Sequence, residues 1–321
     1  MLGGYTSGMA DKKRIVKQWL ETDAAFGVAE VPVPKKKAGK SGGAKAAASA
    51  TPLPAKPKEF APQRAPAPVA MGRPAARPAV EVRETPVAAP VRAVAPAVRA
   101  GGVDIPGPPA GAIGDLPKID RAEKLRRLAA LLEETTRALA QYLNEIATRV
   151  VFGEGDVDAA VMFIGEGPGV EEDRLGRPFV GKSGQLLDKQ IGAMGYKREE
   201  VFIGNVVKLR AAEPSEEWGG KLKDRPPTPE EVARNIVYLH RQIEIIRPKA
   251  IVTLGAPALK YVTGSKEGIT RIRGQWLDYR GIPVMPTFHP AYVLRNYTED
   301  TRRKVWDDLK MVMVKVGKKA R

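Results

Sequence analysis

The chain of 321 residues contains no cysteine. Disulfides, zinc–thiolate sites, thiolate-held iron–sulfur clusters and cysteine nucleophiles are therefore excluded. Histidine is scarce, with two residues, and aromatic residues make up 6% of the chain. Chemistry that needs an imidazole has only His240 and His289 to draw on. No apolar run approaches the roughly 18 residues of a membrane span. The N-terminus carries no apolar h-region, so no secretory signal is expected and the expected location is the cytoplasm. Negative charge is also in deficit. Lys plus Arg number 53 against 37 Asp plus Glu, a net charge of +16 and a pI near 9.9. Such a balance favours polyanionic partners: DNA, RNA or an anionic surface.

What is present divides into three stretches. Residues 1–30 hold one amphipathic segment, about 11–21, with Ile15, Val16, Trp19 and Leu20 beside Lys12, Lys13, Arg14 and Lys17. It reads as a docking element for a protein partner, with a DNA-touching arm as the alternative. Residues 31–117 hold 17 of the 28 prolines, with 13 Lys/Arg against 5 Asp/Glu. A Pro/Ala/Lys-rich stretch of this kind cannot bury a core and is expected to be a disordered linker. Whether it is a solvated spacer or a loose tether for nucleic acid stays open.

Residues 118–321 read differently. Asp120 with Glu123 marks a helix start, and Leu125, Leu128, Leu132, Leu139, Leu143 and Ile146 recur at helical spacing to about Thr148. Strands are expected at 161–164, 201–204, 250–254 and 283–288, and helices at 183–194, 229–246, 256–263 and 299–316. Thr228 before Pro229 and Glu231 marks the start of one helix. This alternation predicts an α/β fold, a parallel sheet with helices on both faces.

The first of those strands empties into Gly165-Glu166-Gly167-Pro168-Gly169. In an open α/β sheet such a turn is where a ligand binds, because glycines admit close approach and present free N–H groups. Further on, Gly176 to Ser183 formally fits the phosphate-loop pattern G-x4-G-K-[ST]. A buried strand should precede that loop, but Glu171-Glu172-Asp173-Arg174-Leu175 stands there. An apolar strand ending in Asp to hold magnesium is also missing, so an NTPase is set aside.

Three strand ends taken together say more. Glu166 follows the first strand, Asn205 the second and His289 the last. In a parallel sheet they share one edge. Phe179 lies between them in a polar loop. An Asn offers one donor and one acceptor to a base edge, an imidazole can donate to an oxygen gaining charge, and a ring can stack on a heterocycle. Together they describe a nucleobase pocket. Singly, each has a bland reading: a turn-forming Asn, a structural His-Pro, a core Phe. His240 falls inside a helix and reads as a surface or packing residue.

The segments GEGPG, EDRLGRPFVGKSGQLL, GNVVK, RPPTPEE, RQIEIIRPKAIVTLG and PTFHPAYVLR, in that order, resemble the family 4 uracil-DNA glycosylases over roughly residues 149–313. The resemblance implies a three-layer α/β/α sandwich with a central four-stranded parallel sheet. It also implies excision of uracil from single- or double-stranded DNA, with a non-catalytic uracil- or nucleic-acid-binding protein as the alternative. By resemblance, Gly165 and Gly167 line the pocket and its water site, and Glu166 positions the water. Phe179 stacks on the extruded uracil, Asn205 reads its Watson–Crick edge, and His289 donates to O2 of the leaving base. Leu294 is the candidate wedge into the DNA stack, with Tyr292 and Val293 as rivals. Lys182, Ser183 and Arg295 are candidate phosphate contacts. Glu171, Glu172 and Asp173 read as a solvated or helix-capping run. A monomer acting near the nucleoid is expected, with no membrane and no metal.

The chain departs from the family in one respect. The family holds a 4Fe–4S cluster on four cysteines, whose positions fall near Ala138, Gln141, Leu209 and Asn235. None can ligate iron, so no cofactor is expected and packing must replace the cluster. Residues 210–227, with Trp218-Gly219-Gly220, are longer than the resemblance predicts, and read as a cover for the vacated site or a DNA contact.

Overall fold

The structure, a computed structural model, describes residues 98–318. The amphipathic segment at 11–21 and most of the proposed linker lie outside them. The last part of that linker does not. Strands β1 (Val98–Ala100) and β2 (Val103–Ile105) form an antiparallel hairpin. Ile105 and Ile113 are 2% and 5% exposed and belong to the main apolar core. The Ile113 N–H donates to the Arg280 carbonyl at 2.8 Å. The Arg280 guanidinium in turn donates to the carbonyls of Ala110 and Gly111 and pairs with Glu244. The ordered domain therefore begins at least twenty residues earlier than the composition suggests. Proline richness reports what local sequence disfavours, and says nothing of a long-range partner.

A protein starting at residue 98 is expected to melt like the full chain. One starting at residue 118 forfeits the burial of Ile105 and Ile113, about 2 kcal/mol each, and is expected to melt on the order of 10 °C lower. Equal melting temperatures for the two would show that the hairpin adds nothing.

Helix α1 (Arg121–Leu139) starts where the sequence indicates, with Asp120 accepting the Glu123 N–H at 2.7 Å. It ends earlier than Thr148. The Asn144 side chain accepts the N–H groups of Ile146 and Ala147, a local alternative to the helix that ends the run. Then follow β3 (Glu154–Gly155), β4 (Val161–Gly165), α2 (Val170–Leu175), α3 (Lys182–Ala193), β5 (Phe202–Asn205) and a second hairpin of β6 (Ala212–Ser215) and β7 (Lys221–Asp224). The chain continues with α4 (Pro229–Ile246), β8 (Ala250–Leu254), α5 (Ala256–Thr263), α6 (Ile269–Ile272), β9 (Leu277–Tyr279), β10 (Ile282–Thr287), α7 (Pro290–Arg295) and α8 (Glu299–Lys315). At α4 the expected capping box is present: Thr228 and Glu231 satisfy each other's backbone N–H groups.

The sheet order is β3-β5-β4-β8-β10-β9. The four inner strands run parallel, as expected, and β3 and β9 add antiparallel edges. These edges, two and three residues long, are too short to leave a periodic signal. Alternation along β4 sorts the layers. Met162 and Ile164 enter one apolar cluster with α1, α4 and α5, while Val161 and Phe163 enter the other with α3 and α8. Because α3 and α5, which follow β4 and β8, lie on opposite faces, a crevice opens between the carboxyl ends of these strands. No helix of the described residues is long and apolar enough to cross a membrane.

Candidate active site

The loops after β4, β5 and β10 meet at that crevice. They line a cavity of about 590 Å³ that takes in Glu166, Gly167, Phe179, Asn205 and His289. Lys182, Ser183, Leu294 and Arg295 complete its wall and mouth. Gly165 lies just beneath. A Cβ there would stand 2.4 Å from Asn205 Oδ1 and 2.5 Å from the Phe179 ring. Glycine at this position is what lets those two side chains converge.

Phe179 is 5% exposed and has φ +49°, a left-handed conformation that a bulky residue adopts only when held. Glu172 does the holding. It is buried, and its Oε1 accepts the N–H groups of Val180 and Gly181 at 2.8 and 2.9 Å. Asp173, also buried, accepts from the N–H groups of Thr148 and Arg149 and the Thr148 hydroxyl. These two acids are therefore internal braces for the loop, not a solvated run; only Glu171 behaves as expected, pairing with Arg174. Their charge hid this, since three consecutive acids look like surface.

Asn205 is 1% exposed, and its Oδ1 is buried with no partner. A buried carboxamide oxygen left open is an acceptor waiting for an N–H. The Phe179 and His289 rings stand 5.7 Å apart, inclined at 33°. His289 caps α7: its Nδ1 accepts the Ala291 N–H at 3.1 Å. An imidazole with Nδ1 engaged as acceptor carries its proton on Nε2. Burial, with a smaller contribution from the Arg295 charge, lowers the His289 pKa to about 4. At neutral pH the ring is an uncharged Nε2–H donor. Glu166 has one buried oxygen without a partner, and burial raises its pKa.

His240 is a packing residue. It is 2% exposed, its Nδ1 lies 2.8 Å from the Tyr279 hydroxyl, and burial brings its pKa down to about 4. Both histidines bind protons more readily in the unfolded chain, near 6.5, than in the folded one. The unfolded state therefore gains protons first as pH falls. The histidines' contribution to stability is expected to be level above pH 6.5 and to decline between 6.5 and 4, by roughly 3 kcal/mol for His240 and less for the cavity-facing His289. Denaturant titrations at pH 7.5 and 4.5 measure this. A His240→Gln protein with the same decline would place its origin elsewhere.

At the mouth the structure separates the three wedge candidates Tyr292, Val293 and Leu294. Val293 is 1% exposed and packs in the core; Tyr292, 40% exposed, rests on Phe288 at 4.9 Å between centroids and does not line the cavity. Leu294 is 40% exposed and lines the cavity. Lys182 and Ser183 open helix α3 and line the same opening.

The positions that the family's cluster would use do not fit one. Ala138 and Leu209 pack against the apolar core. The Gln141 side chain donates to the Ala138 carbonyl. Asn235 accepts the Lys208 N–H and donates to the Glu231 carbonyl, tying α4 to the loop after β5. Beside them lies a second cavity of about 320 Å³, bounded in part by Arg210, Arg225 and Arg234. The Arg234 guanidinium rests 4.3 Å from the Tyr142 ring centroid, and Arg225 pairs with Glu231. Side-chain bonds tie these segments together where the family uses iron. The long segment after Arg210 is the β6–β7 hairpin, whose base brings Asp224 and Arg225 to the rim of the main cavity. Asp224, Arg225 and Lys208 were not singled out from the sequence; no local pattern marks them, and only the closed fold brings them to the cavity.

A parallel sheet with an aromatic-walled cavity at its carboxyl edge matches the Uracil DNA glycosylase superfamily, whose family model covers residues 152–310. A type-4 uracil-DNA glycosylase of Thermotoga maritima is 44% identical over 189 residues, spanning 58% of this chain and 92% of that protein. Those of Sulfurisphaera tokodaii and Archaeoglobus fulgidus are 39% and 36% identical, over 60% and 55% of this chain and 84% and 87% of theirs. The chain belongs to the type-4 uracil-DNA glycosylases.

Proposed function

We propose that this protein hydrolyses the N-glycosidic bond of uracil in DNA and leaves an abasic site. The observation that carries this reading is the convergence of Phe179, Asn205 and the neutral His289 on one cavity. A uracil extruded from the DNA stack lies against the Phe179 ring. Asn205 accepts its N3–H through Oδ1 and donates to O4, a pattern that cytosine reverses. As the C1′–N1 bond breaks, its electron pair leaves with the base and charge gathers on O2. His289 Nε2–H donates to that oxygen, where a neutral donor stabilises the anion without surrendering its proton. Glu166, desolvated and with an open oxygen, orients the water whose oxygen then bonds to C1′ as one of its protons passes to the uracil anion. The DNA is held by Lys182, Ser183 and Arg295, and Leu294 fills the space that the base vacates. Affinity falls steeply with salt as phosphate contacts release counterions.

The test is alkaline strand scission of a uracil-containing oligonucleotide after incubation with the protein, single-stranded and paired with guanine in parallel. Scission at the uracil position is expected in at least one form. Retention of the oligonucleotide without scission would make the protein a binder instead.

A further inference from the structure

Lys208 lies directly behind the floor of the cavity and is fully buried. Its Nζ donates to the Asn205 carbonyl at 2.8 Å and to Gln242 Oε1 at 2.7 Å. Gln242 passes the restraint on, donating to the Phe152 carbonyl at 2.9 Å. The lysine backbone is pinned as well. Its N–H donates to Asn235 Oδ1 and its carbonyl accepts the Val151 N–H. No carboxylate among the described residues pairs with the ammonium. The ionisable groups on the surrounding elements turn elsewhere. Glu154 on β3 binds Arg177 and Arg198, His240 on α4 binds Tyr279, and Glu166 after β4 faces the cavity.

An unpaired buried ammonium is costly, and a methionine of similar length would fill the same space without desolvation. The expense is offset where the charge acts on something that becomes negative. The atom Lys208 touches belongs to Asn205, one residue's backbone away from the carboxamide at the cavity floor. We propose that Lys208 is a positioning residue for base excision, clamping the Asn205 peptide from behind and giving the cavity floor an uncancelled positive charge as the base departs with its electron pair. It rests on the reading of Asn205 as the group that grips the base. A field that acts on the departing anion and not on the neutral bound base raises the rate of bond cleavage, not the affinity for DNA. Burial lowers the Lys208 pKa to about 7, so this contribution is full in mild acid and fades as pH rises through neutrality.

The experiment uses the full chain and single-turnover excision from a uracil oligonucleotide. Lys208→Met is expected to melt cooperatively at or above the wild-type temperature, to bind the oligonucleotide within twofold of wild type, and to cleave at least tenfold more slowly at pH 6. The wild-type rate, relative to that of Lys208→Met, is expected to decline as pH rises from 6 to 9. A cooperatively melting Lys208→Met protein that cleaves within twofold of wild type overturns the proposal, as does an unchanged ratio across pH. If Lys208→Met does not fold, Gln242→Glu places the missing carboxylate beside the ammonium. A loss of fivefold or more supports the proposal, and a rate within twofold overturns it. Asn205→Ala is run alongside. A wild-type rate there removes the underlying reading of the pocket, whereas a slow Asn205→Ala with a fast Lys208→Met removes only the role of the lysine.

Discussion

Replacing His289 with alanine is expected to slow single-turnover uracil excision by about 100- to 1000-fold, the effect of removing one well-placed donor to a developing anion. The size follows from the state of the ring. Burial keeps it uncharged, and the Ala291 N–H occupies Nδ1, so Nε2–H is the proton directed at the base. Alanine keeps the Cβ beside Gly255 but gives up the Nδ1 cap of α7, at a cost of about 1 kcal/mol in stability. DNA affinity should move less than threefold, because the lost interaction strengthens only as the bond breaks. An unchanged cleavage rate would assign the stabilisation of the leaving base to another group. A rate that fell together with binding would mean that His289 holds the DNA instead. Since the ring is already neutral well below pH 6, its own titration should leave no inflection between pH 5.5 and 8.

The second large effect is expected at Asn205. Its change to aspartate should lower excision of uracil by on the order of 1000-fold and narrow the preference for uracil over cytosine by 100-fold or more. Two causes act in the same direction. An ionised carboxylate, 1% exposed at the original side chain, faces the charge that builds on the departing base. A protonated carboxyl can instead donate to N3 of cytosine while its other oxygen accepts from N4–H, the reverse of the pattern that selects uracil. Parallel cleavage of uracil- and cytosine-containing oligonucleotides reads both effects. An unchanged ratio between the two bases would show that Asn205 does not read the ring edge. Stability should fall as well, because the new carboxyl is buried without a partner, so the rate is read in a protein first shown to melt cooperatively.

Much was legible in the one-dimensional pattern. The buried strands announce themselves as short apolar runs, and β8 and α4 fall on the residues expected of them. Thr228 and Asp120 mark helix starts because capping is a local bond between near neighbours. Glu166, Asn205 and His289 could be brought together on paper because strand ends in a parallel sheet share an edge, which topology alone enforces, with Phe179 in a loop between them. The absence of cysteine was equally plain, since no arrangement in space can create one.

Other features became decidable only in three dimensions, because they depend on which groups the folded chain brings into contact. Ile105 and Ile113 look like linker residues until Arg280 and the face of α4 are placed against them. Glu172 and Asp173 look solvated until Val180 and Thr148 supply the N–H groups that they accept. The proton of His289 was assigned by a backbone donor two residues away in a particular turn, and Leu294 was separated from Val293 by which side of a six-residue helix meets the core. Lys208 is the extreme case: in sequence it is one more base in a basic chain, and in space it is a lone buried cation beneath the cavity. Periodicity reports which local face is buried, whereas hydrogen-bond partners, protonation and the direction of a charge's field are set by contacts that the chain makes only once it has closed on itself.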